Sequence, residues 1–228
     1  DAGPLPVVCA STPCALSLTT TPGDEDGFCA LLEDGTVACW GQNEDHQLGR
    51  GGDATYSSSA VPERVVGLSN ITFLDHTCAV DTHGATWCWG TGPYLQDPAT
   101  LLTTEPTPVE LPVPPATMVA LGLHGKHAEL GCVVTDDGLV CWGTNRYGQV
   151  AVPKLDEGPN TFLPPAPVTL PTGVPIKSLA LGHASFFVQS DGTLVSWGAN
   201  PPLGRVSSLL PDPYPGEVAL GGGVVGID

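Results

Sequence analysis

Apolar and polar positions alternate along this chain in short runs, and four of those runs share one design. Each has an apolar strand, a turn with an acidic residue and Gly or with His and Gly, a second apolar strand, and then Trp-Gly. The copies are FCALLEDGTVACWG (Phe28–Gly41), TCAVDTHGATWCWG (Thr77–Gly90), GCVVTDDGLVCWG (Gly131–Gly143) and FFVQSDGTLVSWG (Phe186–Gly198). Each predicts a β-hairpin. The Trp-Gly pairs fall at Trp40, Trp89, Trp142 and Trp197, a recurrence of 49, 53 and 55 residues. That period marks a propeller or a solenoid. A further strand is expected ahead of the later hairpins, in part of Val65–Leu74, in Met118–Leu123 and in Ile176–Leu181. The Pro-rich stretches Tyr94–Pro115, Val152–Pro175 and Pro201–Pro215 read as long loops over one face, because proline opposes central-strand pairing. The class is all-β, in one domain spanning residues 1–228.

Three hairpins carry a cysteine on each strand: Cys29 with Cys39, Cys78 with Cys88, and Cys132 with Cys141. In the first, a loop of Glu33-Asp34-Gly35 sets Leu32 opposite Thr36 and brings Cys29 opposite Cys39, close enough for a bridge. The fourth hairpin has Phe186 and Ser196 there, so both partners are lost together. Cys9 and Cys14 pair by elimination. The spacing is not CxxC and each hairpin offers only two thiols, which disfavours zinc. Disulfides imply an oxidising compartment, so the chain is expected to be secreted, periplasmic or on a cell surface. Asn70-Ile71-Thr72 is a sequon, which makes Asn70 a glycosylation candidate.

Composition excludes several classes. Seven Lys and Arg against 24 Asp and Glu give a net charge of −17, the opposite of what displaces counterions from nucleic-acid phosphates. Docking on an anionic membrane fails for the same reason, and no apolar run is long enough to span a bilayer. The acidity reads as solubility, or as suited to a basic partner or cations. The chain opens at Asp1 without a Met or a leader-like segment, which reads as a processed or an excised start.

The pattern His76-Thr77-Cys78-Ala79 through Gly90 resembles the regulator of chromosome condensation repeat, and so does Gly41-Gln42-Asn43-Glu44-Asp45-His46-Gln47-Leu48-Gly49 after the first hairpin. Trp142-Gly143-Thr144-Asn145-Arg146-Tyr147-Gly148-Gln149 is a shorter version. The cysteine-bearing variant is similar to the extracellular bacterial branch of that family. The resemblance implies a β-propeller with four-stranded blades. It transfers no single function.

Four copies fall short of the family's usual seven blades, and the termini read as halves of a fifth. Glu217–Asp228 resembles a first strand plus the opening of a hairpin, and Asp1–Cys9 resembles the returning half. The expectation is therefore about five blades, one shared between residues 217–228 and 1–9. Three arrangements fit: closure within the chain, pairing with the next molecule, or a protein continuing past Asp228.

Candidate chemistry is sparse. His76 and His183 precede hairpins, where the resemblance implies a hydrogen bond to the neighbouring blade. His124 and His127 lie three apart with no third ligand in sight. Asp24-Glu25-Asp26-Gly27 lacks the alternation of a calcium loop, and no nucleophile elbow appears. The four repeated tryptophans read as inter-blade packing, with Trp87 facing the same way as Trp89. No catalytic residue, cofactor or metal is expected. The reading is a non-enzymatic binding scaffold that recognises a protein partner through loops on one face, with Tyr94, Tyr147, Phe162 and Tyr214 as exposed aromatic contacts. The alternative is a structural subunit of an extracellular assembly joined by terminal strand exchange. An enzyme on a propeller, such as a hydrolase, comes third.

Overall fold

The computed structural model describes residues 9, 11–23, 27–51, 57–92, 94, 103–124, 127–153 and 162–227. Among them sixteen strands form four antiparallel sheets, each with its strands in chain order. Blade 1 holds β1 (Ala15–Thr20), β2 (Gly27–Leu32), β3 (Val37–Gly41) and β4 (Ser59–Arg64). Blade 2 holds β5 (Ile71–Asp75), β6 (Cys78–Asp81), β7 (Thr86–Gly92) and β8 (Thr103–Glu110). Blade 3 holds β9 (Ala116–His124), β10 (His127–Thr135), β11 (Gly138–Thr144) and β12 (Phe162–Val168). Blade 4 holds β13 (Ile176–Ala180), β14 (Ala184–Gln189), β15 (Leu194–Gly198) and β16 (Asp212–Glu217). The four hairpins are the second and third strands of these blades, and the architecture is a β-propeller.

The Trp-Gly mark has a structural cause. Where the third strand pairs with the fourth, the register shifts across the tryptophan in every blade, between Cys39 and Gly41, Cys88 and Gly90, Cys141 and Gly143, and Ser196 and Gly198. The tryptophan sits in a bulge, and the glycine after it takes positive φ: 109°, 76°, 117° and 104°. At Gly198 a Cβ would also stand 2.4 Å from the His183 carbonyl, so no other residue fits.

The Pro-rich stretches correct the expectation of uninterrupted loops. They supply the fourth strands β8, β12 and β16, with Pro106 and Pro108, Pro164, Pro165 and Pro167, and Pro213 and Pro215 inside them. Proline is tolerated there because a fourth strand pairs on one side only, and the missing N–H groups blunt the exposed edge.

The core lies between blades. Cys29, Leu31, Val37, Cys39 and Leu48 of blade 1 pack with Ala79 and Trp89 of blade 2. Cys78, Val80 and Cys88 pack with Val119, Leu121 and Trp142 of blade 3. Leu130, Cys132 and Cys141 pack with Phe187, Val195 and Trp197 of blade 4. Each hairpin disulfide therefore faces the following blade. The cysteine pairs sit directly opposite, with Cα atoms 4.1, 4.2 and 4.1 Å apart, and Cys9 is bonded to Cys14. In blade 4 the place is taken by Ser196, whose hydroxyl donates 2.8 Å to the Leu203 carbonyl. Arg205 then ties β15 to β16, reaching the Ser196 and Tyr214 carbonyls at 3.2 and 2.7 Å and Asp212 at 2.8 Å.

The expected fifth blade is not built by the described residues. Glu217 closes β16, residues 218–227 form no strand, and residues 1–8 lie outside the described set.

Candidate functional site

One contact recurs at two blade boundaries. Trp89 Nε1 of blade 2 donates 2.9 Å to the carbonyl of Gln47, and Trp197 Nε1 of blade 4 donates 2.7 Å to the carbonyl of Gln149. The accepting loops are alike. Gln47 Oε1 takes the Asp45 amide at 2.8 Å and Asn43 Oδ1 the Leu48 amide at 3.0 Å. Gln149 Oε1 takes the Tyr147 amide at 2.7 Å and Asn145 Oδ1 the Val150 amide at 3.1 Å. Trp89, Trp142 and Trp197 are fully buried. Trp40 is half-buried and stacks on Phe28, with ring centroids 5.9 Å apart.

The histidines serve the same end. His76 uses its main-chain amide, which donates 3.1 Å to Thr19 Oγ1 of blade 1, while its ring meets Asp75 at 2.9 Å. Asp75 in turn accepts the Leu121 amide of blade 3 at 2.8 Å. His183 lays its ring 4.4 Å from that of Tyr147. Trp87 packs at the boundary of blades 1 and 2 and donates to Asp81. His124 and His127 pair across the β9–β10 hairpin, whose tip residues 125–126, like 24–26, lie outside the described residues.

Two of the four aromatic candidates are core residues. Tyr94 is 4% exposed; its hydroxyl donates to the Trp89 carbonyl and meets Thr77 Oγ1 at 3.0 Å. Burial pushes its phenol well above the usual tyrosine range, only partly offset by Thr77. Phe162 is 5% exposed between blades 2 and 3. Both stand in loops the sequence places outside the core, and their rings fill the space beside Trp142 and the blade 2 cysteines. Tyr214 is exposed and Tyr147 half-buried. Asn70 is exposed, in the left-handed conformation, between blades 1 and 2.

On the face carrying the hairpin turns, blade 3 departs from the other blades. In blades 1, 2 and 4 the segment leaving the fourth strand closes on the turn. Ile71 N bonds the Gly35 carbonyl, Ala116 N the Gly84 carbonyl and Val224 N the Gly192 carbonyl, each at 2.9 Å. A Cβ on those glycines would stand 3.0, 3.0 and 3.1 Å from main-chain atoms of that segment, whereas on Gly138 of blade 3 it would meet only the Leu170 side chain, at 3.4 Å. The reason is length. Five residues separate Val65 from Ile71, four Leu111 from Ala116 and five Val218 from Val224, but seven separate Val168 from Ile176.

The longer segment stands away from the turn and leaves a groove of about 650 Å3. Its apolar lining includes Val134, Val168, Leu170, Val174 and Ile176, and its rim carries Asp136 and Asp137. The segment is held from behind: Gln189 of blade 4, fully buried, donates its side-chain amide to Thr172 Oγ1 and, at 3.2 Å, to the Val174 carbonyl. The Pro175 carbonyl accepts the Ser190 amide at 2.8 Å.

The turn acids differ in their commitments. Asp34 bonds the hydroxyl and amide of Thr36 and pairs with Arg64 at 2.8 Å, which together hold its carboxyl below the usual range. Asp81 is pushed up by burial, but the Trp87 indole and the His83 and Ala85 amides outweigh this and leave it lowered. The Thr193 amide and hydroxyl lower Asp191. Among the described residues, no hydrogen bond or ion pair engages the side chain of Asp136 or Asp137. Sequence reasoning missed the groove; the count of residues between Val168 and Ile176 was its visible signal.

Residues 34–82 match the family model of the regulator of chromosome condensation (RCC1) repeat. The chain is similar to the guanine nucleotide exchange factor SRM1 of Saccharomyces cerevisiae, 30% identical over 190 residues, covering 75% of this chain and 37% of that protein. It is also similar to the ultraviolet-B receptor UVR8 of Arabidopsis thaliana, 27% identical over 187 residues, covering 77% and 40%. The chain thus spans about two fifths of the length of these relatives. Among solved structures it superposes on human WBSCR16 with a TM-score of 0.68 at 19% identity, covering 94% of this chain and 55% of that one. On yeast RCC1 (Prp20), solved bound to Kap60, the TM-score is 0.67 at 20% identity, covering 93% and 50%. These likenesses show the propeller fold.

Proposed function

We propose that this RCC1-repeat propeller is a non-catalytic scaffold, working in an oxidising compartment outside the cytoplasm, that recognises a protein partner through the face carrying its hairpin turns. The groove of blade 3 carries this reading. Among the described residues blades 1, 2 and 4 close the exit segment on the turn, and in blade 3 a lengthened segment, braced by Gln189, holds a larger cavity open. A rigid frame of fastened blades loses little freedom on binding, which favours recognition by preformed loops. Support for a protein ligand comes from relatives of the same fold: yeast Prp20 is described with Kap60 and by its binding properties to Gsp1p and histones. Support for the compartment comes from the four disulfides, which leave no free cysteine.

Gly173 lines the groove with open space around it, so Gly173→Trp fills the cavity without touching the core. A partner captured on the immobilised chain should be lost with this variant and kept with Tyr214→Ala. Equal capture by Gly173→Trp and the parent chain overturns the use of this face. Alkylating the unreduced natural protein should find no free thiol; several free thiols overturn the compartment.

A subunit joined to others through its ends is the second reading. Val224 bonds Gly192 as Ile71 bonds Gly35, and Ile71 opens the first strand of the next blade. Light scattering on the 228-residue chain tests it, and a lone 23.4 kDa species removes it.

A further inference from the structure

We infer that the blade 3 groove binds an extended peptide segment in which a Lys or Arg flanks aliphatic side chains. This rests on the scaffold reading and names the ligand of that site. The cavity, about 650 Å3, falls within the roughly 300–1,000 Å3 of ordinary ligand sites. Its floor is made by Val134, Val168 and Ile176, all buried, with Leu170 and Val174 half-buried on the wall. These side chains give branched aliphatic groups an apolar surface to pack on, beside the polar Thr117, Thr135 and Thr172 of the same lining.

The rim sets the charge. Asp136 and Asp137 are exposed carboxylates without a partner among the described residues, whereas Asp34 and Asp191, which stand at the place of Asp137 in blades 1 and 4, are held by Thr36 and Arg64 and by Thr193. A cation arriving there meets two anions that no internal bond must release, and the net charge of −17 steers it in. The same charge repels acidic segments and nucleic acid.

The wall suits a main chain. Gly173 has no atom within 4 Å of where a Cβ would stand, so a peptide backbone can approach it closely. Thr172 Oγ1 accepts from Gln189, which leaves its own proton available to donate to a peptide carbonyl. The corresponding groove of blade 4, at about 260 Å3, is too small, and its Asp191 is bound to Thr193.

The test uses the whole chain, labelled with 15N and titrated with three capped tetrapeptides: acetyl-RVLR-amide, acetyl-EVLE-amide and acetyl-RGGR-amide. The first should move the amides of 134–138, 172–174 and 176 saturably, and the other two should bind at least tenfold more weakly. Asp136→Asn with Asp137→Asn should weaken acetyl-RVLR-amide at least tenfold, while Asp34→Asn leaves it unchanged. All these acids are exposed, and an unchanged spectrum of the free variant certifies its fold. Equal binding of acetyl-EVLE-amide, shifts confined elsewhere, an unaffected double variant, or no binding at all overturns the inference. The scaffold reading fails separately, if Gly173→Trp leaves capture of the protein partner intact.

Discussion

Trp89 reaches across a blade boundary to give its indole proton to the main-chain carbonyl of Gln47, 2.9 Å away, and Trp197 does the same to Gln149. Trp89→Phe keeps most of the ring but leaves that carbonyl buried without a donor, which costs about 1–3 kcal/mol. Trp40 is half-buried against Phe28, so Trp40→Phe should cost well under half as much. Urea unfolding of the two variants checks the difference.

Gly49 supports the same boundary from the other side. Its φ is 61°, and a Cβ there would stand 2.7 Å from Val65 Cγ1 and 3.0 Å from Trp89 Cδ1. Gly49→Ala combines left-handed strain with a clash inside the core and should lose about 2 kcal/mol. Gly67, also at positive φ (78°) but in open space, should lose roughly 1 kcal/mol when replaced by Ala. Thermal unfolding distinguishes them.

Replacing both members of a hairpin disulfide, Cys78 and Cys88, by Ser should lower stability by about 3 kcal/mol, the chain-entropy value for a loop of this size. The measurement is chemical denaturation of the double variant beside the unreduced parent.

Asp212 predicts a pH dependence. Burial raises its pKa, but the bonds from the Ser207 hydroxyl, the Tyr214 amide and Arg205 outweigh burial and leave it below the ordinary carboxylate value. A folded pKa below the unfolded one gives stability that is complete above about pH 4 and lost as pH falls through the folded value. Stability should therefore be flat from neutral pH down to about pH 5 and decline in acid. Asp212→Asn should lose roughly 3 kcal/mol at neutral pH and decline less steeply, because Arg205 is left paired with no anion in a largely buried place. Unfolding titrations from pH 3 to 7 measure both.

What was legible in the sequence is whatever the repeat states directly. Trp-Gly reports a bulge and its positive-φ glycine, and the matched cysteines report facing positions on two strands, so the central hairpins and their register could be read. The fourth strands could not: Pro106, Pro164, Pro165 and Pro213 argue against pairing, yet an edge strand bonds on one side only and tolerates them. Tyr94 and Phe162 misled for a related reason. A polar, Pro-rich surrounding says nothing of whether one ring turns back to fill a gap beside Trp142. The groove was hidden because it arises from the length of the segment from Thr169 to Pro175 and from no special residue in it.

The disulfides of blades 1, 2 and 3 each join two strands of one hairpin, over separations of 10, 10 and 9 residues, and none links one blade to another. A bridge of that kind needs only its own hairpin to be paired, and so does not depend on the next blade. Each oxidised hairpin is thus a stiff surface, complete in itself, on which the next blade lays its tryptophan. Blade 4, whose Ser196 is fastened by Leu203 and Arg205, needs no oxidant to complete the series.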